Sequence, residues 1–297
     1  MLRTFIAFLS ITAFVVASVS VAVAEENAHV LVVVGPSGHP PGSHEVLAGG
    51  RVVEGCLENA SNLEGMTVTV VDQWPSEEQR AKADTIVFIG DTFPANRFEN
   101  PSQNLRDLAQ MMDRGCGIVC LHYATGLLGM DVSKDGSHPL LNWMGGYFAN
   151  RSCPHHESIA RIVPEATIVP ATPEHPVSRG WKEFTIHDEP YINNYFGPDR
   201  NRPAANVTVF ATSMLPPESP QREIVAWGID RPDGGRGFGI VMPHFYKNWK
   251  QPDLRRFILN GIVWTARQPV PEDGVQSELV DLEAYGPASV EYSRNKK

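Results

Sequence analysis

Gly115-Cys116-Gly117-Ile118-Val119-Cys120-Leu121-His122-Tyr123-Ala124-Thr125-Gly126 is the stretch around which the chain is organised. Ile118 to Leu121 is a short apolar run with β-branched members, set between glycines on one side and Tyr-Ala-Thr-Gly on the other. That is the pattern of a strand buried on both faces, as in a parallel sheet. His122 falls where such a strand ends. In open α/β sheets ligands sit outside the carboxyl ends of the strands, so a polar residue at this point is placed for chemistry. The glycine-rich flanks let the backbone turn sharply and present the imidazole, as a nucleophile elbow presents its side chain. A histidine that merely caps the strand fits the same residues.

Toward the N-terminus, residues 102–114 read as an amphipathic helix with Leu105, Leu108, Met111 and Met112 on one side, stopped by Gly115. Apolar runs at 29–34, 66–71 and 85–90 read as strands, and Ser43 is expected to cap a helix after the first. This alternation predicts a single doubly wound α/β domain with a mainly parallel sheet. Beyond Thr125 the pattern loosens. A short helix is expected over 140–146 and strands over 158–163 and 207–212. Residues 223–228 and 237–241 read as a pair around Pro232-Asp233-Gly234-Gly235, and 252–266 as a helix with Pro252 in its first turn. Residues 268–297 have no periodicity and are expected to be a tail, poorly ordered or draped on the surface.

The first residues read as a secretory signal peptide over 1–24: Arg3, an apolar run from Phe5 to Val23, and the small-x-small site Ala22-Val23-Ala24. The domain at 28–267 is therefore expected to be secreted or periplasmic, with an uncleaved anchor as the alternative. After cleavage no membrane association is expected. The formal net charge is −9, and losing the leader's single basic residue makes the chain more acidic still. Such a chain is a poor general binder of nucleic acid or anionic lipid and suits a neutral or cationic small molecule. Cys56, Cys116, Cys120 and Cys153 lack C-x-x-C spacing. Cys120 reads as a small buried hydrophobe, and a Cys116–Cys153 bridge stays open.

Four histidines fall in loops that would face the carboxyl edge of the sheet. His39 and His44 follow the first strand, His122 ends the fourth, and His244 sits in Met-Pro-His-Phe-Tyr after the last apolar run. Asp188 and Glu189 lie in a bent Asp-Glu-Pro-Tyr segment. Such a set suits general acid–base catalysis, or a divalent metal held by imidazoles and a carboxylate. There is no HExxH, so spacing alone does not choose between them.

Several of these segments, in order, resemble the ThuA-like (trehalose-utilisation) family. Gly117 to Ala124 is similar to its glycine-rich strand ending in Leu-His. The segment from Trp143 to His155 resembles its Gly-Gly stretch followed by a histidine, and His175-Pro176-Val177-Ser178 its His-Pro-hydroxyl turn. Asp188-Glu189-Pro190-Tyr191 resembles its Asp-Glu-x-Tyr motif, and the chain from Gly235 through Trp249 to Ala266 resembles its ending. The resemblance implies a flavodoxin-like, class I glutamine amidotransferase-like fold. It departs from the amidotransferases at the elbow, where His122 stands in place of a catalytic cysteine, so thiol-based glutamine hydrolysis is not implied. It departs from many relatives at Tyr246, where a further histidine is expected.

The resemblance points to a sugar-directed hydrolase, lyase or isomerase acting on a disaccharide or keto-sugar. The catalytic residues are expected to be His122, Asp188, Glu189 and His244, with His122 as the central proton carrier. His39, His44, Tyr123, Tyr191 and Trp249 are expected to contact substrate. The cofactor is left open, a divalent metal being one alternative. A non-catalytic carbohydrate-binding or scaffold module is the competing reading, and the separation of His122, Glu189 and His244 discriminates the two.

Overall fold

The computed structural model describes residues 27–285, so the expected signal peptide lies outside the described residues. Among the described residues eleven strands and six α-helices follow one another. The first half alternates: β1 (Ala28–Val34), α1 (Val46–Glu58), β2 (Met66–Val71), α2 (Glu77–Lys82), β3 (Thr85–Ile89), α3 (Pro101–Asp113) and β4 (Gly117–Leu121). The second half is irregular. Two-residue strands β5 (Gly126–Leu127) and β6 (Phe148–Ala149) flank α4 (Pro139–Met144). Then come β7 (Val163–Pro170), β8 (Phe184–Asp188), β9 (Val207–Leu215), β10 (Gln221–Asp230) and β11 (Arg236–Ile240). Two helices, α5 (Pro252–Thr265) and α6 (Leu282–Tyr285), complete the order.

Nine strands form one sheet in the order β2-β1-β3-β4-β11-β10-β9-β7-β8. The pairs from β2 to β11 are parallel, and those from β11 to β8 antiparallel. The domain is thus a single α/β unit with a mixed sheet: the doubly wound half holds as expected, while the added half is antiparallel. Four successive reversals carry β8 back to the direction of β11. The carboxyl ends of β1, β3, β4, β11 and β8 therefore lie along one edge, and the reversal of strand order beside β1 makes a crevice there.

Burial explains the strands. Val30, Leu31, Val32 and Val33 of β1 have no exposed surface, each worth about 1.5–3 kcal/mol when removed from water. Thr85 bonds Thr265 of α5 at 2.9 Å on one face of the sheet. On the other face Phe88 packs on Trp74, whose indole N–H donates to Asp107 of α3. Gly237 sits against the backbone of Trp143 in α4, while its neighbour Phe238 meets Gly261 of α5, so α4 and α5 cover opposite faces.

Several local expectations are corrected. Ser43 does not cap α1; its hydroxyl donates to the Pro40 carbonyl, and Glu45 occupies the cap position without a side-chain bond. The strand expected over 158–163 is displaced to Val163–Pro170, and β8 was not legible as a strand. All four cysteines are buried and free, so no Cys116–Cys153 bridge forms; both thiols donate instead to backbone carbonyls. Of the tail expected over 268–297, residues 268–285 are described and run as a strap, in keeping with the draped alternative; the rest lies outside the described residues. Val270, Val275 and Leu282 are buried, the Val275 N–H donates to Asn260, and the Tyr246 hydroxyl donates to the Leu282 carbonyl. Among the described residues no helix is long and apolar enough to cross a membrane.

Candidate functional site

The five strand ends deliver the side chains. The loop after β1 brings His39 and His44, the turn after β3 brings Asp91, and β4 ends directly on His122. Residues just past β11 bring His244, and the end of β8 brings Glu189 and Tyr191. His44 and His122 adopt left-handed backbone, with φ of 47° and 48°. That region is sparsely used by residues other than glycine, and at both positions the ring it carries enters the cluster. The carbonyl of His122 accepts from the Thr125 hydroxyl at 2.6 Å, which fixes the turn.

Three imidazoles meet. Nε2 of His122 lies 2.9 Å from Nε2 of His44 and 3.1 Å from Nδ1 of His244, and the latter two nitrogens are 2.9 Å apart. Oε2 of Glu189 lies 3.3 Å from Nδ1 of His244 and 3.9 Å from Nε2 of His122. The Tyr191 hydroxyl donates to Nε2 of His122 at 3.1 Å, with the two rings stacked. Behind this group, Nδ1 of His122 donates to the Val241 carbonyl at 2.9 Å, and Nδ1 of His44 donates to Asp91. One donor atom from each of His44, His122, His244 and Glu189 falls within 4.8 Å of the others, a spacing open to a metal ion.

Electrostatics disfavour the charged form of two of the imidazoles, His44 and His122. Burial pushes His44 down to about 4, against the pull of its bond to Asp91. Burial and the nearness of His44 and His244 hold His122 well below the ordinary histidine range. Burial raises Asp91, but the bonds from His39, His44 and the Gly38 N–H outweigh it and hold the carboxyl well below its usual range. Burial and the Glu189 charge hold Tyr191 well above the usual phenol range, so it stays a donor.

The remaining expected residues are placed as follows. His39 stacks on His44 at 3.6 Å between centroids, with Nδ1 2.8 Å from Asp91, and lies partly exposed at the rim. Tyr123 sits edge-on to His39 and His44 and accepts a bond from Asn150. Trp249 is buried beneath the cluster. With Tyr246, His44, His122 and His244 it lines a narrow cavity of ≈ 30 Å³, room for a water or two. Asp188 stands behind the centre with no exposed surface, and Oδ1 accepts the backbone N–H groups of His244 and Phe245. Glu189 also lines an open groove of ≈ 670 Å³ with Arg161, Ile162, His187 and Phe245. Cys120, two residues before His122, is fully buried, and burial raises its thiol well above the usual range, which leaves no thiolate nucleophile at this elbow. Asp91 is the residue the sequence did not single out. Its signal was position alone, immediately past the end of a parallel strand.

Fold and site together define an α/β domain carrying a histidine-rich centre at the carboxyl edge of its sheet. The chain belongs to the ThuA family, described as trehalose utilisation, whose pattern it matches over residues 29–265. Among solved structures it is similar to a ThuA-like protein from Bacteroides uniformis (15% identity, TM-score 0.57, covering 81% of this chain and 91% of that one). It is also similar to one from Parabacteroides merdae (17% identity, TM-score 0.53, covering 89% and 100%). A glutamine amidotransferase from Thermotoga maritima matches at 10% identity and a TM-score of 0.42, covering 82% and 97%. No curated protein sequence matches the chain. The family points to a carbohydrate-related small molecule as ligand.

Proposed function

We propose that the protein is an exported, sugar-directed enzyme whose centre is the group of His44, His122, His244, Glu189 and Tyr191. The observation that carries this reading is the convergence itself. Three imidazoles from loops 78 and 122 residues apart in sequence meet within 3.1 Å beside a carboxylate, at the edge where such sheets bind ligands. A binding module has no need of this. Sugar recognition uses aromatic faces and scattered hydrogen bonds, whereas desolvated bases in mutual contact suit activation of a water or hydroxyl. The desolvated rings of His44 and His122 offer lone pairs rather than stored protons, so the role of His122 shifts from proton carrier to acceptor or ligand. Glu189, at the mouth of the groove, is the group placed to exchange a proton with substrate, and Tyr191 the group placed to donate a hydrogen bond to it. A disaccharide or keto-sugar, changed by hydrolysis, elimination or isomerisation, is the substrate class this supports.

The test is turnover of a panel of oxidised and unoxidised disaccharides by the wild type and by His122→Ala, with folding followed by circular dichroism. The variant should lose about 10²–10⁴ in kcat/KM while remaining folded. Full activity in a folded His122→Ala chain would overturn the reading.

A further inference from the structure

The protons of the cluster can be counted. The Val241 carbonyl only accepts, so Nδ1 of His122 carries its proton and Nε2 presents a lone pair. The Asp91 carboxylate accepts a hydrogen bond from Nδ1–H of His44 in the same way, so Nε2 of His44 likewise presents a lone pair. His244 has one Nδ1 proton at most to share among His44, His122 and Glu189. As the side chains stand, the Tyr191 hydroxyl donates into the His122 lone pair, and its proton must swing away for that nitrogen to take another partner. Whichever way His244 donates, the Nε2 atoms of His44 and His122 remain two buried acceptors 2.9 Å apart with no proton between them. Buried acceptors facing each other are costly unless something positive lies between them.

We propose that His44, His122 and His244 bind one divalent first-row transition ion, with Glu189 beside its open positions, an inference that rests on reading this group as the working centre. The donor set fixes the class. Imidazole suits zinc, iron, nickel and their neighbours, whereas magnesium and calcium call for oxygen ligands. The nitrogens are 2.9, 2.9 and 3.1 Å apart. With metal–nitrogen bonds of about 2.1 Å such spacings subtend angles near 90°, a facial set that leaves open positions. The outer partners are also present: Asp91 orients His44, the Val241 carbonyl orients His122, and Asp188 holds the backbone of His244. The neighbouring set of His39, His44 and Asp91 is excluded, because its close-lying atoms are already spent on hydrogen bonds to one another and to the Gly38 N–H. A bound ion of this class supplies Lewis-acid activation of a water or sugar oxygen.

The experiment uses the full chain, stripped with a chelator, then titrated with Zn²⁺ or Ni²⁺ by calorimetry, with metal content after dialysis measured by elemental analysis. One equivalent per chain is expected, with a rise in Tm of about 5 °C at hundredfold excess over Kd. Mg²⁺ and Ca²⁺ should produce neither. His44→Ala and His244→Ala should abolish the tight equivalent, and Asp91→Asn should weaken it about 10–100-fold. His29→Ala, at the opposite end of β1, should retain it. Circular dichroism of the metal-free variants separates lost ligands from lost fold. No saturable equivalent in the wild type, or one that survives both histidine substitutions, overturns the inference. An inactive, folded His122→Ala beside a wild type that binds no metal would leave the enzyme reading standing without the ion.

Discussion

At the scale of single residues, the two acids of the Asp188-Glu189 pair separate into different work. Glu189 reaches the imidazoles and lines the groove. Asp188 points away, holds the amides of His244 and Phe245, and leaves Oδ2 without a partner. Burial pushes its carboxyl up to about 6, as expected for a desolvated acid with no cation against it. Asp188 is therefore expected to act through His244, as a positioning residue. Asp188→Ala strands two buried N–H groups and should cost roughly 2–5 kcal/mol by urea unfolding, with the centre disordered. Asp188→Asn keeps an acceptor for both and sheds a buried charge, so it should stay within about 1 kcal/mol of wild type and keep most turnover. A folded Asp188→Asn as inactive as His122→Ala would return the carboxylate to the chemistry.

At the scale of elements, the strand at Gly117–Leu121 was readable because burial on both faces leaves an unbroken apolar run between glycines. β1 and β3 were readable for the same reason. In the antiparallel half β9, β10 and β11 were also readable, whereas β7 was misplaced and β8 reads Phe-Thr-Ile-His-Asp, half-exposed and too short for its period to stand out. The site was legible where a histidine or acid stood in a recognisable loop. Asp91 was not, because one aspartate after a strand is common and only the folded chain shows two imidazoles resting on it. The glycine before the central strand has its own reason. A Cβ at Gly117 would lie 2.3 Å from the Thr265 carbonyl oxygen and 2.6 Å from Oγ1 of Thr85, so β4 can approach α5 only without a side chain there. Gly117→Ala should destabilise the fold by about 1–3 kcal/mol in chemical denaturation. Gly38→Ala, with nothing within 4 Å, should be close to neutral. Equal stabilities for the two variants would contradict this packing.

At the scale of the whole molecule, one edge of the sheet gathers buried histidines that the fold holds neutral. His44 and His122 belong to the centre; His138 lies further along the same edge, where its Nδ1 accepts the Leu140 N–H and caps α4. Burial, followed by the Arg97 charge, lowers His138 from 6.5 to about 4. The sign of the linkage follows. Between 6.5 and about 4 the unfolded chain has taken up a proton that the folded one refuses, so the unfolded state gains. Stability is present in full above about 6.5, falls as pH drops toward 4, and levels off once both states are protonated. A shift of this size corresponds to about 3 kcal/mol for His138 alone. Asparagine at 138 keeps a capping acceptor but cannot titrate. His138→Asn should therefore lose about 2–3 kcal/mol less than wild type between pH 6.5 and pH 4.5, measured by urea unfolding at each pH. Parallel losses in the two chains would show that His138 is protonated as readily folded as unfolded, and that the acid sensitivity of this edge lies in His44 and His122.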